Sequence, residues 1–253
     1  MSGAYGRIEG PDAIQKTWHP KGAAEYDIFK LRTQENEWLI RAIKKHVTLK
    51  RGDLVLDVGG RDGNVAFALQ KAPQVHIIDP DPRIRPLKRP GRFWRMKIQD
   101  VEFDPVVKYK LIICCHVLGY LSLQGADKQV LKKLTDQLEI GGTLVLFYNT
   151  NDGYMSSLLE YSRHILPRRH FDEFDELLLR PYEINHDIKQ LDTSFDLAYR
   201  DFPALARCCW FLFGAVDRNI DECARRFLPK LRDDLAQPLF PIGERCKLIR
   251  KLF

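Results

Sequence analysis

Apolar positions along the chain recur with two periods, and these predict alternating helices and strands. Leu31, Trp38, Leu39, Ile43 and Val47 repeat near 3.6 residues, which predicts a helix over Leu31 to His46. Arg51-Gly52-Asp53 then turns the chain into Leu54-Val55-Leu56, an aliphatic run that reads as a buried parallel strand. Asn64 to Lys71 reads as a helix, Val75 to Ile78 as a second strand and Phe93 to Ile98 as a third. Leu111 to Cys115 reads as a fourth strand, Asp127 to Leu138 as a helix, and Thr143 to Tyr148 as a fifth strand behind a Gly141-Gly142 turn. Strands and helices in this alternation specify an α/β fold with a doubly wound parallel sheet.

Beyond Asn149 the pattern changes. Residues 151–180 are polar and interrupted and read as an insertion or lid; Phe195 to Arg200 reads as a sixth strand. Ala204 to Leu235 reads as mainly helical, and Cys246 to Leu252 as a closing strand. The expected organisation is an N-terminal lid and first helix over 1–48, a sheet core over 49–150, and an inserted and C-terminal helical elaboration with closing strands over 151–253.

Composition narrows the class without naming a chemistry. The 253 residues are 45% hydrophobic and 29% charged, values that exclude global disorder and a fibrous repeat. The longest apolar run, Cys208 to Val216, has nine residues and is too short for a membrane span. Met1 to Gly10 lacks the apolar stretch of a signal peptide. Six cysteines include the pairs Cys114–Cys115 and Cys208–Cys209 but no C-x-x-C, the pattern of reduced thiols in a cytoplasmic protein. His164, His170, Asp172 and His186 are scattered without ligand spacing, so no metal set is expected. The net charge of +6 permits an anionic partner without requiring one. A monomer or homodimer is expected.

The most informative stretch is Leu56-Asp57-Val58-Gly59-Gly60-Arg61-Asp62-Gly63. A strand ends, glycines allow a tight turn and close backbone approach, and a helix follows. A dinucleotide fingerprint would need glycine where Val58 stands, and no Gly-Lys-Ser/Thr marks a P-loop. What fits is D-x-G-x-x-x-G, with Asp57, Gly59 and Gly63. Asp79 ends the second strand 22 residues after Asp57, the interval expected of a carboxylate that grips ribose hydroxyls. Gln99-Asp100-Val101 follows the third strand, and Leu138-Glu139-Ile140-Gly141-Gly142 precedes the fifth.

In these positions, over about residues 30–150, the chain resembles the class I S-adenosylmethionine (SAM)-dependent methyltransferases. The resemblance implies a Rossmann-like, doubly wound, seven-stranded sheet, mostly parallel with the last strand antiparallel. It implies SAM as cofactor, with S-adenosylhomocysteine as product. It carries a cofactor-binding role onto Asp57, Gly59, Gly60, Gly63, Asp79, Pro80, Asp100, Val101, Cys115 and Tyr26. In this reading Asp57 faces the amino-acid end, Asp79 the ribose and Asp100 the adenine amino group. Ile140 replaces the proline of the family's L-x-P-G-G turn, and Tyr109-Lys110 stand where many relatives carry an acid. In similar enzymes a segment like Trp18 to Tyr26 folds over cofactor and substrate, which makes Trp18 and His19 substrate-side candidates.

His116 follows the fourth strand, where open α/β sheets place their reactive crevice. Two readings stay open: a general base or orienting group for the acceptor, and a ring that bonds backbone and packs on the cofactor. Tyr120, Tyr148 and Asn149 are expected on the substrate side. Neither an Asn/Asp-Pro-Pro-aromatic motif nor a Pro-Cys follows the fourth strand, which disfavours DNA base methylation. The leading expectation is methyl transfer to an N or O nucleophile of a small-molecule acceptor, with no membrane involved. RNA methylation is the alternative: Phe147 to Gly153 is similar to a stretch of the tRNA carboxymethoxyuridine methyltransferases, and Arg83 to Lys97 holds seven cations in fifteen residues. A SAM-binding regulatory protein without transferase activity is a further alternative.

Overall fold

The computed structural model describes residues 34–117, 127–153, 179–198 and 239–253. Ten principal elements follow in chain order: α1 (Glu35–His46), β1 (Val55–Val58), α2 (Asn64–Leu69), β2 (Val75–Ile78), β3 (Arg92–Trp94), β4 (Tyr109–Cys115), α3 (Asp127–Asp136), β5 (Leu138–Gly153), β6 (His186–Ala198) and β7 (Leu239–Lys251). The seven strands form one sheet in the order β3-β2-β1-β4-β5-β7-β6. Pairs β1–β2, β1–β4, β2–β3 and β4–β5 are parallel, and the closing strand β7 runs antiparallel between β5 and β6. The expected doubly wound, seven-stranded sheet is therefore the fold observed.

Central strands are aliphatic because both of their faces are covered. Val55, Leu56, Val58, Ile112, Ile113 and Leu111 are essentially unexposed. On one face Leu56, Ile112, Leu144 and Leu146 pack with Val130, Leu131 and Leu134 of α3. On α1, Leu39 and Ile43 are buried at the helical spacing read from the sequence, and α2 packs on both α1 and β1. Each fully buried large aliphatic side chain contributes about 1.5–3 kcal/mol against the entropy of ordering the chain.

Several boundaries differ from the sequence reading. The third strand is only Arg92–Trp94; Ile98–Asp100 forms a 3₁₀ turn instead of its end. Helix α2 stops at Leu69, and α3 stops at Asp136. The Gly141-Gly142 pair is not a turn ahead of the fifth strand but a bulge within it. Tyr109 pairs with Leu138 and Leu111 with Thr143, so two residues of β4 span five of β5. Gly141 takes φ +73, and Lys110 Nζ donates to its carbonyl at 3.1 Å and pairs with Glu139 at 3.2 Å. Lys110 thereby links the β4 side of the bulge to the β5 side. Strands β6 and β7 are also longer than the Phe195–Arg200 and Cys246–Leu252 runs, because polar strand residues next to them share the ladder.

Packing separates two compact units, one formed by residues 1–34, 150–171 and 194–243, the other by 35–149, 172–193 and 244–253. Helices α1 to α3 and the glycine-rich loop belong to the second. Among the described residues, no helix is long and apolar enough to cross a membrane.

Candidate active site

The loop from β1 to α2 is built around an enclosed acid. Asp57 is buried on β1, and a Cβ at Gly60 would lie 2.1 Å from its carboxyl carbon. Residue 60 must therefore lack a side chain for the loop to fold back over this acid. Gly59 has φ +69, and a Cβ there would meet Val117 Cγ2 at 2.5 Å. Its N–H donates to the Ile78 carbonyl at 2.8 Å, which ties the loop to the end of β2. Gly63, at φ +76, caps α2. Arg61 also lies in the left-handed region, at φ +50.

Asp79, at the end of β2, is 0% exposed. Its two oxygens accept backbone N–H groups from both neighbouring loops, Arg61 N at 3.0 Å and Asp81 N at 2.9 Å. Burial raises its carboxyl above the usual range, and the backbone N–H groups of Asp81 and Arg61 oppose that shift, with the Arg61 charge after them. Asp81 is bonded to Arg83 at 2.6 and 2.8 Å, which holds its carboxyl below the usual range. Pro80 is exposed between the two acids. Asp100 is exposed at the end of its 3₁₀ turn, and Val101 beside it is buried. Lys133 of α3 fixes this segment by donating to the carbonyls of Ile98, Gln99 and Val101.

Tyr109 and His76 tie β4 to β2: the Tyr109 hydroxyl lies 2.9 Å from His76 Nδ1. At the other end of β4, the Cys115 thiol is pushed well above its ordinary value, by burial first and then by Asp57 and Glu35. His116 follows with φ +54, and its N–H donates to the Phe147 carbonyl at 2.7 Å. Its ring meets Phe147 edge-to-face at 5.3 Å, and Trp38 stacks on the same phenyl ring at 5.8 Å. Nε2 of His116 lies 3.2 Å from Glu35 Oε1 and 3.8 Å from Glu244 Oε1.

The two glutamates went unread in the sequence. Glu35 opens an amphipathic helix as an ordinary first-turn acid, and Glu244 sits in a stretch with no motif; only the folded chain sets them beside His116. Of the residues expected at the site, Asp57, Gly59, Gly60, Gly63 and Asp79 come together around one loop, with His116 and Cys115 at the end of the adjacent strand. Tyr148 is buried in the sheet core on β5. Trp18, His19, Tyr26 and Tyr120 lie outside the described residues, as does the side chain of Asn149.

A glycine-rich loop behind a central strand and an acid closing the next strand are the marks of a nucleoside-binding α/β fold. A family model described as a methyltransferase domain matches residues 31–180, and the chain belongs to that family. It is a class I SAM-dependent methyltransferase, with SAM as the methyl donor. No curated protein matches the chain. Among solved structures it is similar to the YcgJ protein from Bacillus subtilis, at 14% identity and a TM-score of 0.57, covering 84% of this chain and 97% of that one. It is similar to the plantazolicin methyltransferase BpumL, solved with a pentazolic desmethylPZN analog and S-adenosylhomocysteine, at 13% identity, a TM-score of 0.55 and 94% of each chain. The MccD protein is similar at 15% identity and a TM-score of 0.54, over 87% of this chain and 99% of that one. These likenesses are of fold.

Proposed function

We propose that the chain methylates an N or O nucleophile of a small-molecule acceptor, with His116 taking the acceptor's proton. The observation that carries this reading is the imidazole at the carboxyl end of β4, braced by a buried glutamate at 3.2 Å. The strand pairing of β4 with β1 puts it beside the glycine-rich loop.

The loop suits the donor. A side chain at Gly60 would strike the Asp57 carboxyl and one at Gly59 would strike Val117, so both positions must lack one for the loop to keep this shape. In our assignment Asp57, Gly59, Gly60 and Gly63 receive the methionine and ribose portion, Asp79 and Pro80 the ribose edge, and Asp100, Val101 and Cys115 the adenine side. Asp79 already accepts two backbone N–H groups, and the second lone pair on each oxygen remains for hydroxyl donors. SAM brings a methyl group on a positively charged sulfur, already activated, so the protein's task is alignment, exclusion of water and removal of one proton. In this reading the His116 imidazole is the group that takes that proton. We assign the acceptor contacts to the 151–253 region and to Trp18, His19, Tyr120 and Asn149, and keep Tyr26 on the cofactor side.

The plantazolicin methyltransferase, solved with a pentazolic desmethylPZN analog and S-adenosylhomocysteine, supports a small-molecule acceptor on this fold. RNA methylation would draw on the basic run at 83–97, but four of its seven cations are engaged locally. Arg83 is bonded to Asp81, and Arg85 and Arg95 donate to the Pro82 carbonyl. Arg92 covers Trp94 at 5.0 Å and Arg95 covers Phe93 at 4.9 Å, occupying the faces on which bases would stack. Incubation of metabolite and RNA fractions with methyl-labelled SAM tests the reading. Label in the metabolite fraction, lost with His116→Asn, is expected; label confined to RNA overturns it.

A further inference from the structure

We propose that Lys133 is a positioning residue for the base of the donor: its ammonium fixes the turn at residues 98–101, and through that turn the chain selects adenine over a purine without the amino group. This rests on the assignment of Asp100 and Val101 to the adenine side. The turn stands at the same end of the sheet as the other donor residues. Strand β3 ends at Trp94, whose carbonyl accepts the N–H of Asp79 at 3.0 Å, and the 3₁₀ turn Ile98–Asp100 begins four residues later.

Lys133 lies in the last turn of α3, and its Nζ donates to the carbonyls of Gln99 at 2.6 Å, Val101 at 2.9 Å and Ile98 at 3.3 Å. An ammonium has three N–H donors and no acceptor, so three carbonyls use its whole capacity. Carbonyl dipoles turned to one point repel one another. A cation at that point reverses the sign, and each bond to it is charge-assisted. A neutral side chain there would leave part-buried acceptors stranded, and the backbone would turn them elsewhere. The apolar side of the turn is fixed separately. Ile98 and Val101 are 4% and 1% exposed and share a core cluster with Val130 and Leu134 of the same helix. The Asp100 N–H donates to the Lys97 carbonyl at 3.0 Å. Held from both sides, the turn keeps Asp100 as its exposed member. A carboxylate accepts hydrogen bonds and gives none, which matches the amino group of adenine. Hypoxanthine carries an oxygen in that place, acceptor against acceptor. The placement of this turn therefore bears on which base is bound, and little on the homocysteine end of the ligand.

The test is calorimetry on the full chain with two ligands, S-adenosylhomocysteine and its deaminated analogue S-inosylhomocysteine. The wild type is expected to prefer the adenine ligand by about tenfold or more. Lys133→Met keeps the length of the stem and removes the ammonium. It is expected to bring that preference below about threefold through weaker S-adenosylhomocysteine binding, with S-inosylhomocysteine affinity held within about twofold. Lys133→Gln, with two donors and a shorter reach, is expected to fall between the two. A lysine that only stabilises the fold would weaken both ligands alike, so an equal loss for both overturns the proposal. An unchanged preference in Lys133→Met also overturns it; if that variant does not fold, an unchanged preference in Lys133→Gln does so. Asp100→Ala separates this inference from the reading beneath it. Preference lost in Asp100→Ala but kept in Lys133→Met refutes the role of Lys133 and leaves the adenine assignment standing. A wild type without preference, or an Asp100→Ala variant that keeps it, refutes the assignment and the proposal together.

Discussion

Asp57 and Gly60 occupy adjoining space so closely that a single methyl group on residue 60 would fall 2.1 Å from the aspartate's carboxyl carbon. The acid and the missing side chain are one device. Gly60→Ala is expected to push the loop off Asp57 and weaken SAM binding at least tenfold, about 1.4 kcal/mol. Asp57→Ala is expected to weaken it by about 1–3 kcal/mol. Calorimetry checks both, with circular dichroism to verify the fold; wild-type affinity in Gly60→Ala would refute the assignment of this loop.

Asp79 holds the two loops that flank the site. Asp79→Ala strands the N–H groups of Arg61 and Asp81, and the expected loss of folding stability is about 1–3 kcal/mol. SAM affinity falls by a similar amount. Denaturant titration and calorimetry measure the two losses separately. A variant that keeps its stability would show that the loops do not depend on this tether.

The pH dependence of stability has a contribution from His76. Burial first, and then the Arg92 charge, lower its pKa from the model-compound value of 6.5. The unfolded chain therefore binds a proton that the folded chain resists, so this contribution is complete above about pH 6.5 and declines as the pH falls through that value. His76→Phe is expected to flatten the stability curve between about pH 5 and 7, at the cost of the Tyr109 contact. Thermal melts across that range give the comparison, and parallel curves for the two proteins would exclude the effect.

Cys114 and Cys246 are thiols under native conditions. Burial pushes both up to about 12, with Asp57 adding to the shift at Cys114. Iodoacetamide near pH 8 is expected to leave both unmodified in the folded protein and to modify both in denaturant. Peptide mass spectrometry locates the label. Rapid native labelling at either position would mean that β4 or β7 opens readily.

The loop at 57–63 was legible because its chemistry is local: a buried strand, an acid and glycines that follow one another along the chain. Val75–Ile78 was read to the residue, since four aliphatic-rich positions between turns leave one solution. The Gly141-Gly142 pair misled because glycines mark a bulge and a turn alike; only the partner strand, through the Tyr109–Leu138 and Leu111–Thr143 pairs, tells which. Tyr148, read as a substrate-side residue, proved to face the core, since the side to which a strand residue points depends on register.

By itself, then, the order of apolar runs, glycines and acids determined the doubly wound sheet and the tight glycine-rich loop with its flanking acids, because backbone geometry and close approach act over a few residues. Tertiary structure alone decided that β7 inserts between β5 and β6, and that Glu35 and Glu244 stand beside His116. Electrostatic partners are chosen by distance in space, and at low dielectric that distance governs which proton is held where.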